Sequence, residues 1–401
     1  MIIGGGMVGL SIARQLLERD FAKKIIILDK EKELGMHSSG RNSGVLHAGI
    51  YYEPKSLKAR VSVEGAKRLK EWIAERKLTI NNCGKVIVPQ KEKLDSQLDK
   101  LLERGKANGA KVELIDNKEL KGIINCAYSS TGRALWSPNT SVVNPLEIIS
   151  VLEKELRARG VQILKSINSF KVLKNSKEIL FGNSNKVGYD HLINCSGLQS
   201  DKVAQMFGVG GDYKIMPFKG LYWKIKENCP LKINSNLYPV PDLNVPFLGV
   251  HFTPTADGNN ITIGPTAIPA FGRENYKRTI GIEPFMALNN MFLLGQQYLA
   301  NRGGFRKYVN EQAFLSFTPL LLQAAQQLIP SIRLEHIELS EKVGIRAQLF
   351  NLKKNKLEDD FICIKGKSST HVLNAISPAF TASFALGDLI LDMIINNNYE
   401  K

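Results

Sequence analysis

The stretch that decides the fold opens the chain: Met1-Ile2-Ile3-Gly4-Gly5-Gly6-Met7-Val8-Gly9, then a helical run to about Arg19, then an apolar strand over 24–28 that ends at Asp29. Strand, glycine-rich turn, helix, strand and acid in that order make the G-x-G-x-x-G pattern a dinucleotide fingerprint rather than a chance match. Gly4 allows the tight turn, Gly6 lets backbone approach a pyrophosphate, and Gly9 permits close packing of helix on strand. The helix N-terminus supplies unpaired N–H groups and the positive end of its dipole to the diphosphate. Asp29 suits the adenosine ribose hydroxyls and repels a 2′-phosphate, which leaves FAD or NAD; Lys30 beside it joins the expected cofactor set. Only three residues precede Gly4, which predicts that an N-terminally extended form would retain its nucleotide more tightly.

Working outward, 401 residues can bury a large core and suggest two interleaved domains. The 43% hydrophobic and 23% charged fractions are those of an ordinary globular protein. Lys and Arg number 54 against 38 Asp and Glu, a net charge of +16 that suits a polyanion, an anionic membrane surface or an acidic small substrate. No basic block interleaved with aromatics occurs, so no nucleic-acid module is expected. Cys83, Cys126, Cys195, Cys229 and Cys363 are odd in number and form no C-x-x-C pair. That predicts a reducing, cytoplasmic setting with no metal site and no disulfide framework. The chain enters its glycine turn at once, so no secretory leader is expected. No run reaches the roughly 20 apolar residues of a spanning helix, and the apolar stretch 380–395 carries Asp388 and Asp392. It reads as a packed amphipathic helix. Any membrane contact should therefore be peripheral, on the inner face.

Along the chain, 31–54 is a long loop rich in Gly, Ser, Asn and His. The spacing predicts helices over 61–76, 91–108 and 145–159, with strands over 85–88, 161–164 and 191–194. The last strand runs into Cys195-Ser196-Gly197, a return to βα pattern that implies a discontinuous nucleotide domain. The expected fold class is α/β: a Rossmann-type domain from 1–80, 140–210 and 335–401, and an α+β substrate domain from 81–139 and 211–334.

The loop Ser38-Ser39-Gly40-Arg41-Asn42-Ser43-Gly44-Val45-Leu46-His47-Ala48-Gly49-Ile50-Tyr51-Tyr52, followed by Glu53-Pro54-Lys55-Ser56-Leu57-Lys58-Ala59, closely resembles the L-2-hydroxyglutarate dehydrogenase/oxidase family. That family is a branch of the D-amino-acid-oxidase-like flavoproteins. Further similar segments are Cys83-Gly84-Lys85-Val86-Ile87-Val88 and Asn194-Cys195-Ser196-Gly197-Leu198-Gln199-Ser200-Asp201. Tyr238-Pro239-Val240-Pro241-Asp242, the run from Pro246 to Pro254, Gly344-Ile345-Arg346-Ala347-Gln348, the run from Glu358 to Phe361, and Asn374-Ala375-Ile376-Ser377-Pro378-Ala379 follow in the family's order. The resemblance spans nearly the whole chain. It implies FAD and oxidation of L-2-hydroxyglutarate, a small dicarboxylate, to 2-oxoglutarate, with hydride passing to flavin N5 and electrons onward to a respiratory-chain quinone or to oxygen. The chain departs from the family pattern at Lys219, Leu221, Thr266, Leu373, Ile376 and Phe380. Those departures keep a flavin oxidase of amines or amino acids as the alternative; a protein that binds FAD without turnover is the third reading.

Oxidising a 2-hydroxy acid requires a base for the hydroxyl proton, and neutral imidazole, with a usual pKa of about 6.5, suits it. His47 and His251 lie inside family-like motifs and are the catalytic candidates; His371 is weaker, and His37, His191 and His336 read as structural. For carboxylate binding Arg346 offers a planar fork, with Lys219 as runner-up and Tyr51, Tyr52 and Tyr222 as pocket wall or hydrogen-bond donors. Arg41, Asn42, Ser43, Gly44 and Val45 are expected against the flavin, as are Gly344 and Asn374, and Gly197 where only a small residue fits. Ser377 and Pro378 read as N-cap and first residue of a helix whose positive end faces the flavin pyrimidine edge.

Overall fold

The computed structural model describes residues 1–241, 248–301, 305–313 and 315–395. Asp242, Pro246 and Phe247 of the family-like segments lie outside the described residues. The β-branched stretches found in the sequence build a six-stranded sheet in the order Cys363–Gly366, Ser369–Val372, Leu192–Asn194, Ile2–Ile3, Ile26–Leu28, Gln162–Leu164. Ile2 pairs in parallel register with both Ile27 and Ile193, so the opening strand, though two residues long, sits at the centre of this sheet. Both faces must then be covered. Helices Met7–Glu18, Pro145–Ala158 and Ser383–Ile395 supply one apolar cover, with Leu10, Leu152 and Leu386 fully buried in it. A three-stranded antiparallel sheet, Phe170–Leu173, Glu178–Phe181 and Asn185–Gly188, covers the other, where Ile179 packs with Ile3, Ile26 and Leu28. Asp388 and Asp392 interrupt the apolar C-terminal helix because they meet Arg19 at 2.8 and 2.6 Å.

The second layer is a ten-stranded sheet whose spine is the antiparallel pair Tyr213–Ile225 and Ile337–Asn351. Lys85–Val88 joins it in parallel beside Asn236–Pro239. The region 335–401, expected entire in the nucleotide domain, is thus divided: Ile337–Asn351 and Lys356–Leu357 belong to the larger sheet, and the chain rejoins the six-stranded sheet only at Cys363. The physical reason is length. A fifteen-residue strand exposes fifteen residues' worth of backbone groups, and among the described strands only the thirteen-residue Tyr213–Ile225 runs alongside nearly all of it.

Other expectations need small adjustment. The helix placed at 61–76 runs Leu57–Glu75, four residues earlier, because Ser56 caps it by accepting from the Ala59 N–H at 3.1 Å. The helix placed at 91–108 is Asp95–Ala107, preceded by a tight turn at Glu92–Leu94. A larger correction concerns Ser377 and Pro378. They are joined by a cis peptide within a turn, and the final helix starts only at Ser383. Ser377 is therefore not its N-cap.

Candidate active site

The glycine turn is built by close approach. Gly4 holds φ +102°, and a Cβ there would stand 2.4 Å from the Cys195 carbonyl oxygen. A Cβ on Gly9 would come within 2.0 Å of the Gly4 carbonyl oxygen, and one on Gly6 within 2.8 Å of Ser39 Oγ. Asp29 arrives at the turn as expected: its Oδ2 accepts from the Gly5 N–H at 2.7 Å, and its Oδ1 from the Glu31 N–H. Lys30 instead reaches Glu31 and Glu274, at 2.9 and 2.5 Å.

From Met7 and Val8 at the start of the first helix, one cavity of about 510 Å³ runs inward between the two sheets. His47, Tyr51, Tyr52, Tyr222, His251 and Arg346 all line it, as do Ser43, Val45, Gly344, Ser377 and Pro378. Residues some three hundred positions apart in sequence thus share one wall. Arg41, Asn42 and Ser43 also line the cavity and Gly44 is not among its lining residues; the longer side chains of this loop are held by protein. Arg41 donates to the Met36 and Val343 carbonyls and stacks over Tyr276, while Asn42 bonds Ser38, Ser39 and Gly44. Gly344 packs against that loop, where a Cβ would lie 2.7 Å from the Arg41 carbonyl oxygen.

Two expectations fail here. Lys219 lies on the opposite face of its strand from Phe218, Gly220 and Tyr222, as the period of two demands, and its Nζ donates to Asn275 at 2.8 Å. Asn374 is fully buried and spends its amide on the backbone of Leu349, Glu358 and Asp360, away from the cavity. Gly197 holds φ +52°, a left-handed conformation that favours glycine. Of the departures from the family pattern, Thr266, Ile376 and Phe380 line the cavity, whereas Leu221 and Leu373 pack elsewhere.

The two catalytic candidates converge. The Nδ1 of His251 pairs with the Gly249 carbonyl at 2.7 Å, which fixes the proton on Nδ1 and leaves Nε2 as an acceptor. Burial, with the nearby Lys85 charge adding to it, lowers its pKa to about 3 despite the Gly249 bond. His47 has Nε2 3.4 Å from Ser377 Oγ, and its buried Nδ1 meets no hydrogen-bond partner. Burial first, then Lys85, His251 and Lys58, push it well below the usual imidazole value. Both rings are neutral at pH 7. His371, by contrast, commits both nitrogens, to Asn194 and Ser369, and is structural. His37, His191 and His336 are likewise bound within the scaffold.

Two lysines near the cavity escaped sequence reading. Lys85 is fully buried, its Nζ has no hydrogen-bond partner, and it lies over the Tyr238 and Tyr51 rings at 4.3 and 5.2 Å. Desolvation pulls it down to about 7. Lys58 lines the cavity from the first turn of its helix. A signal existed for both: Lys58 falls on the apolar stripe that continues through Val61, Gly65, Leu69 and Trp72, and Lys85 opens the otherwise apolar strand Lys85-Val86-Ile87-Val88.

A family-wide match to "FAD dependent oxidoreductase" extends over residues 1–393. The chain belongs to the FAD-dependent oxidoreductase family. This oxidoreductase is 37% identical to the mitochondrial L-2-hydroxyglutarate dehydrogenase of Caenorhabditis briggsae, over 97% of this chain and 91% of that one. It is 34% identical to the human mitochondrial enzyme of that name, over 98% and 88%, and 32% identical to the Escherichia coli one, over 98% and 92%. Among solved structures, FAD-bound L-α-glycerophosphate oxidase from Mycoplasma pneumoniae superposes with a TM-score of 0.75 at 20% identity, covering 100% of this chain and 94% of that one. Glycine oxidase from Geobacillus kaustophilus gives 0.72 at 16%, covering 100% and 94%. Those two likenesses speak to the fold. FAD is the cofactor of this oxidoreductase, and the residues present fit it. The crowded glycine turn admits nothing larger than hydrogen where a diphosphate must approach, and the cavity leads from that turn to the imidazole pair.

Proposed function

We propose that this flavoprotein oxidises L-2-hydroxyglutarate to 2-oxoglutarate. The observation that carries the reading is the meeting of two neutral imidazoles and a guanidinium in one cavity that begins at the dinucleotide turn. Bound FAD supplies the two-electron acceptor for the hydride leaving the substrate Cα. The chain's own residues do the rest. Arg346 takes the carboxylate next to the reacting carbon through its planar fork. The imidazole pair takes the hydroxyl proton, His251 offering the lone pair of Nε2 that its Gly249 bond leaves open. Tyr51, Tyr222 and Phe380 wall the cavity, and Gly4, Gly6, Gly9 and Asp29 hold the adenosine diphosphate end. An amine oxidase would have no hydroxyl proton to move and would not call for this pair.

The test is substrate comparison with an artificial electron acceptor and 2-oxoglutarate as the product assayed. L-2-hydroxyglutarate should be turned over, with glycine, sarcosine and glycerol 3-phosphate giving less than about a hundredth of its kcat/KM. Preferential turnover of glycine or sarcosine would establish the amine-oxidase reading instead.

The electron acceptor is a quinone or oxygen, and one surface favours a membrane-borne quinone. Helix Pro284–Ala300 buries Met286, Asn290, Leu294 and Gln297 and turns a second apolar face outward, with Phe285, Leu288, Phe292 and Leu299 91, 72, 66 and 76% exposed. Exposed Lys277 and Arg278 precede it, and the nearby Glu283 carboxylate is engaged by the Arg273 N–H and Lys202. An apolar ridge beside exposed cations suits the interface of an anionic bilayer. In co-sedimentation, the protein should pellet with vesicles containing anionic lipid. Replacing Phe285, Leu288 and Phe292 by Ser should release it; equal pelleting of that variant would remove this surface from the account.

A further inference from the structure

We propose that Lys58 anchors the second carboxylate of the substrate and so selects a diacid over a monoacid; the proposal rests on the reaction assigned above.

Four basic side chains line the cavity among the described residues: Arg41, Lys58, Arg104 and Arg346. Two are turned into protein. Arg41 is held by the Met36 and Val343 carbonyls, and Arg104 pairs with Glu53 and donates to the Tyr51 carbonyl. Arg346 takes the carboxylate beside the reacting carbon. Lys58 remains. It is only 8% exposed, and among the described residues no carboxylate comes within ion-pairing distance of its Nζ, which lies 5.9 Å over the Tyr52 ring. The nearest acids do not neutralise it directly. Asp360 accepts the N–H groups of Leu57, Lys58 and Phe361, and Asp359, held above the usual carboxylate range by burial, lines the same cavity.

Placing such an ammonium near a guanidinium is unfavourable. Burial first, and Arg346 second, draw Lys58 down to about 7. An ammonium taken out of water beside a guanidinium is stabilised by a negative charge brought up to it. A monoacid has one carboxylate, placed beside the reacting carbon, and none for Lys58. A five-carbon diacid carries a second carboxylate, separated from the first by the short chain between them, that can meet Lys58. Lys58 also sits next to the polar track that leads to the base: its neighbour Tyr52 hydrogen-bonds Ser377, which in turn stands 3.4 Å from His47 Nε2. A carboxylate drawn to Lys58 therefore lies at the same wall as the reacting centre.

The test uses the full-length holoenzyme and two unreactive ligands, glutarate and butyrate, whose binding is read from the perturbation of the flavin absorbance. Lys58→Met should weaken glutarate about 30-fold or more and butyrate less than about 3-fold, with Lys58→Arg restoring most of the glutarate affinity. The kcat/KM ratio for L-2-hydroxyglutarate over L-2-hydroxybutyrate should fall by a similar factor. Equal losses for both ligands, or none, overturn the assignment. Should Lys58→Met lose flavin, Lys58→Gln carries the comparison; flavin loss by both, with Lys58→Arg intact, makes Lys58 a structural cation and also overturns it. Failure of the wild-type protein to bind glutarate or to oxidise L-2-hydroxyglutarate overturns the reaction itself, an outcome read before any variant is made.

Discussion

His251 lies flat against Tyr238, ring centroids 3.8 Å apart and planes within 19°, while the Lys85 ammonium sits 4.3 Å over the same Tyr238 ring. The stack and the Gly249 bond fix the imidazole's orientation and tautomer together. The buried lysine beyond the phenol makes a positive charge on the imidazole unfavourable. Proton acceptance at this wall is thereby available well below the pH at which a free histidine would charge.

The first prediction follows from that sign. A base works in its unprotonated form, so a lowered pKa moves the acid loss of activity to lower pH. With His251 near 3 and His47 also depressed in the free enzyme, kcat/KM should hold as pH falls through 6.5 and drop only in more acid solution. On the alkaline side, kcat/KM should fall as pH rises through about 7, where Lys58 in the free enzyme loses its proton. His47→Asn and His251→Asn should each lower kcat, the true base by about 10²–10⁴-fold. A pH–rate profile with its acid limb at 6.5 contradicts this.

Lys85→Met should stabilise the protein while harming catalysis. The unfolded lysine binds its proton up to about pH 10.5 and the folded one only up to about 7, so the folded state bears a cost that grows as pH falls from 10.5 to 7 and is constant below. Removing the ammonium should gain on the order of 2–5 kcal/mol at pH 7, vanishing near pH 10.5. Differential scanning calorimetry at the two pH values checks it; a lower Tm for the variant at pH 7 counts against the assignment.

Gly9→Ala should cost flavin before it costs fold, since its Cβ meets the Gly4 carbonyl oxygen at 2.0 Å and spreads the turn. Flavin per protein, read spectrophotometrically after gel filtration, should drop several-fold while far-ultraviolet circular dichroism is retained.

Arg346 and Lys219 should behave oppositely. Arg346→Ala removes a charge-assisted contact and should raise KM by about 30–150-fold, equivalent to about 2–3 kcal/mol. Lys219→Met changes a residue that faces Asn275 on the far side of the strand and should leave KM within about 2-fold. Steady-state kinetics on the two variants decides; a large KM change in Lys219→Met would mean the face assignment is wrong.

The Asp201–Arg273 pair is nearly buried, with Arg273 also donating to the Leu198 carbonyl and Asp201 accepting the Ile215 N–H at 2.9 Å. It ties the turn after Asn194 to the first residues of the long Tyr213–Ile225 strand. Asp201→Ala should cost about 3–5 kcal/mol, because it strands a buried guanidinium; chemical denaturation measures it.

What the sequence disclosed depended on how local the physics was. The Gly4–Gly9 turn and Asp29 were legible because their geometry is fixed within thirty residues. His47, His251 and Arg346 were found through motif context, which substitutes for contacts no local pattern reveals. Lys219 was misplaced because its motif was read without counting strand alternation from Phe218 and Tyr222. Ser377-Pro378 fits a helix start equally well in sequence, yet the helix begins at Ser383, and Asn374 turned inward to satisfy buried backbone. Lys58 and Lys85 were visible as charges on apolar faces, a signal whose meaning depends on what else reaches the cavity.

The most direct measurement is anaerobic: L-2-hydroxyglutarate is added to the purified holoenzyme and the oxidised-flavin band is followed. Full bleaching by this acid is expected, lost or slowed at least about a hundredfold in the His47→Asn, His251→Asn double variant that still holds its flavin. An unbleached wild-type spectrum, or a double variant reduced as fast as the parent, would contradict it.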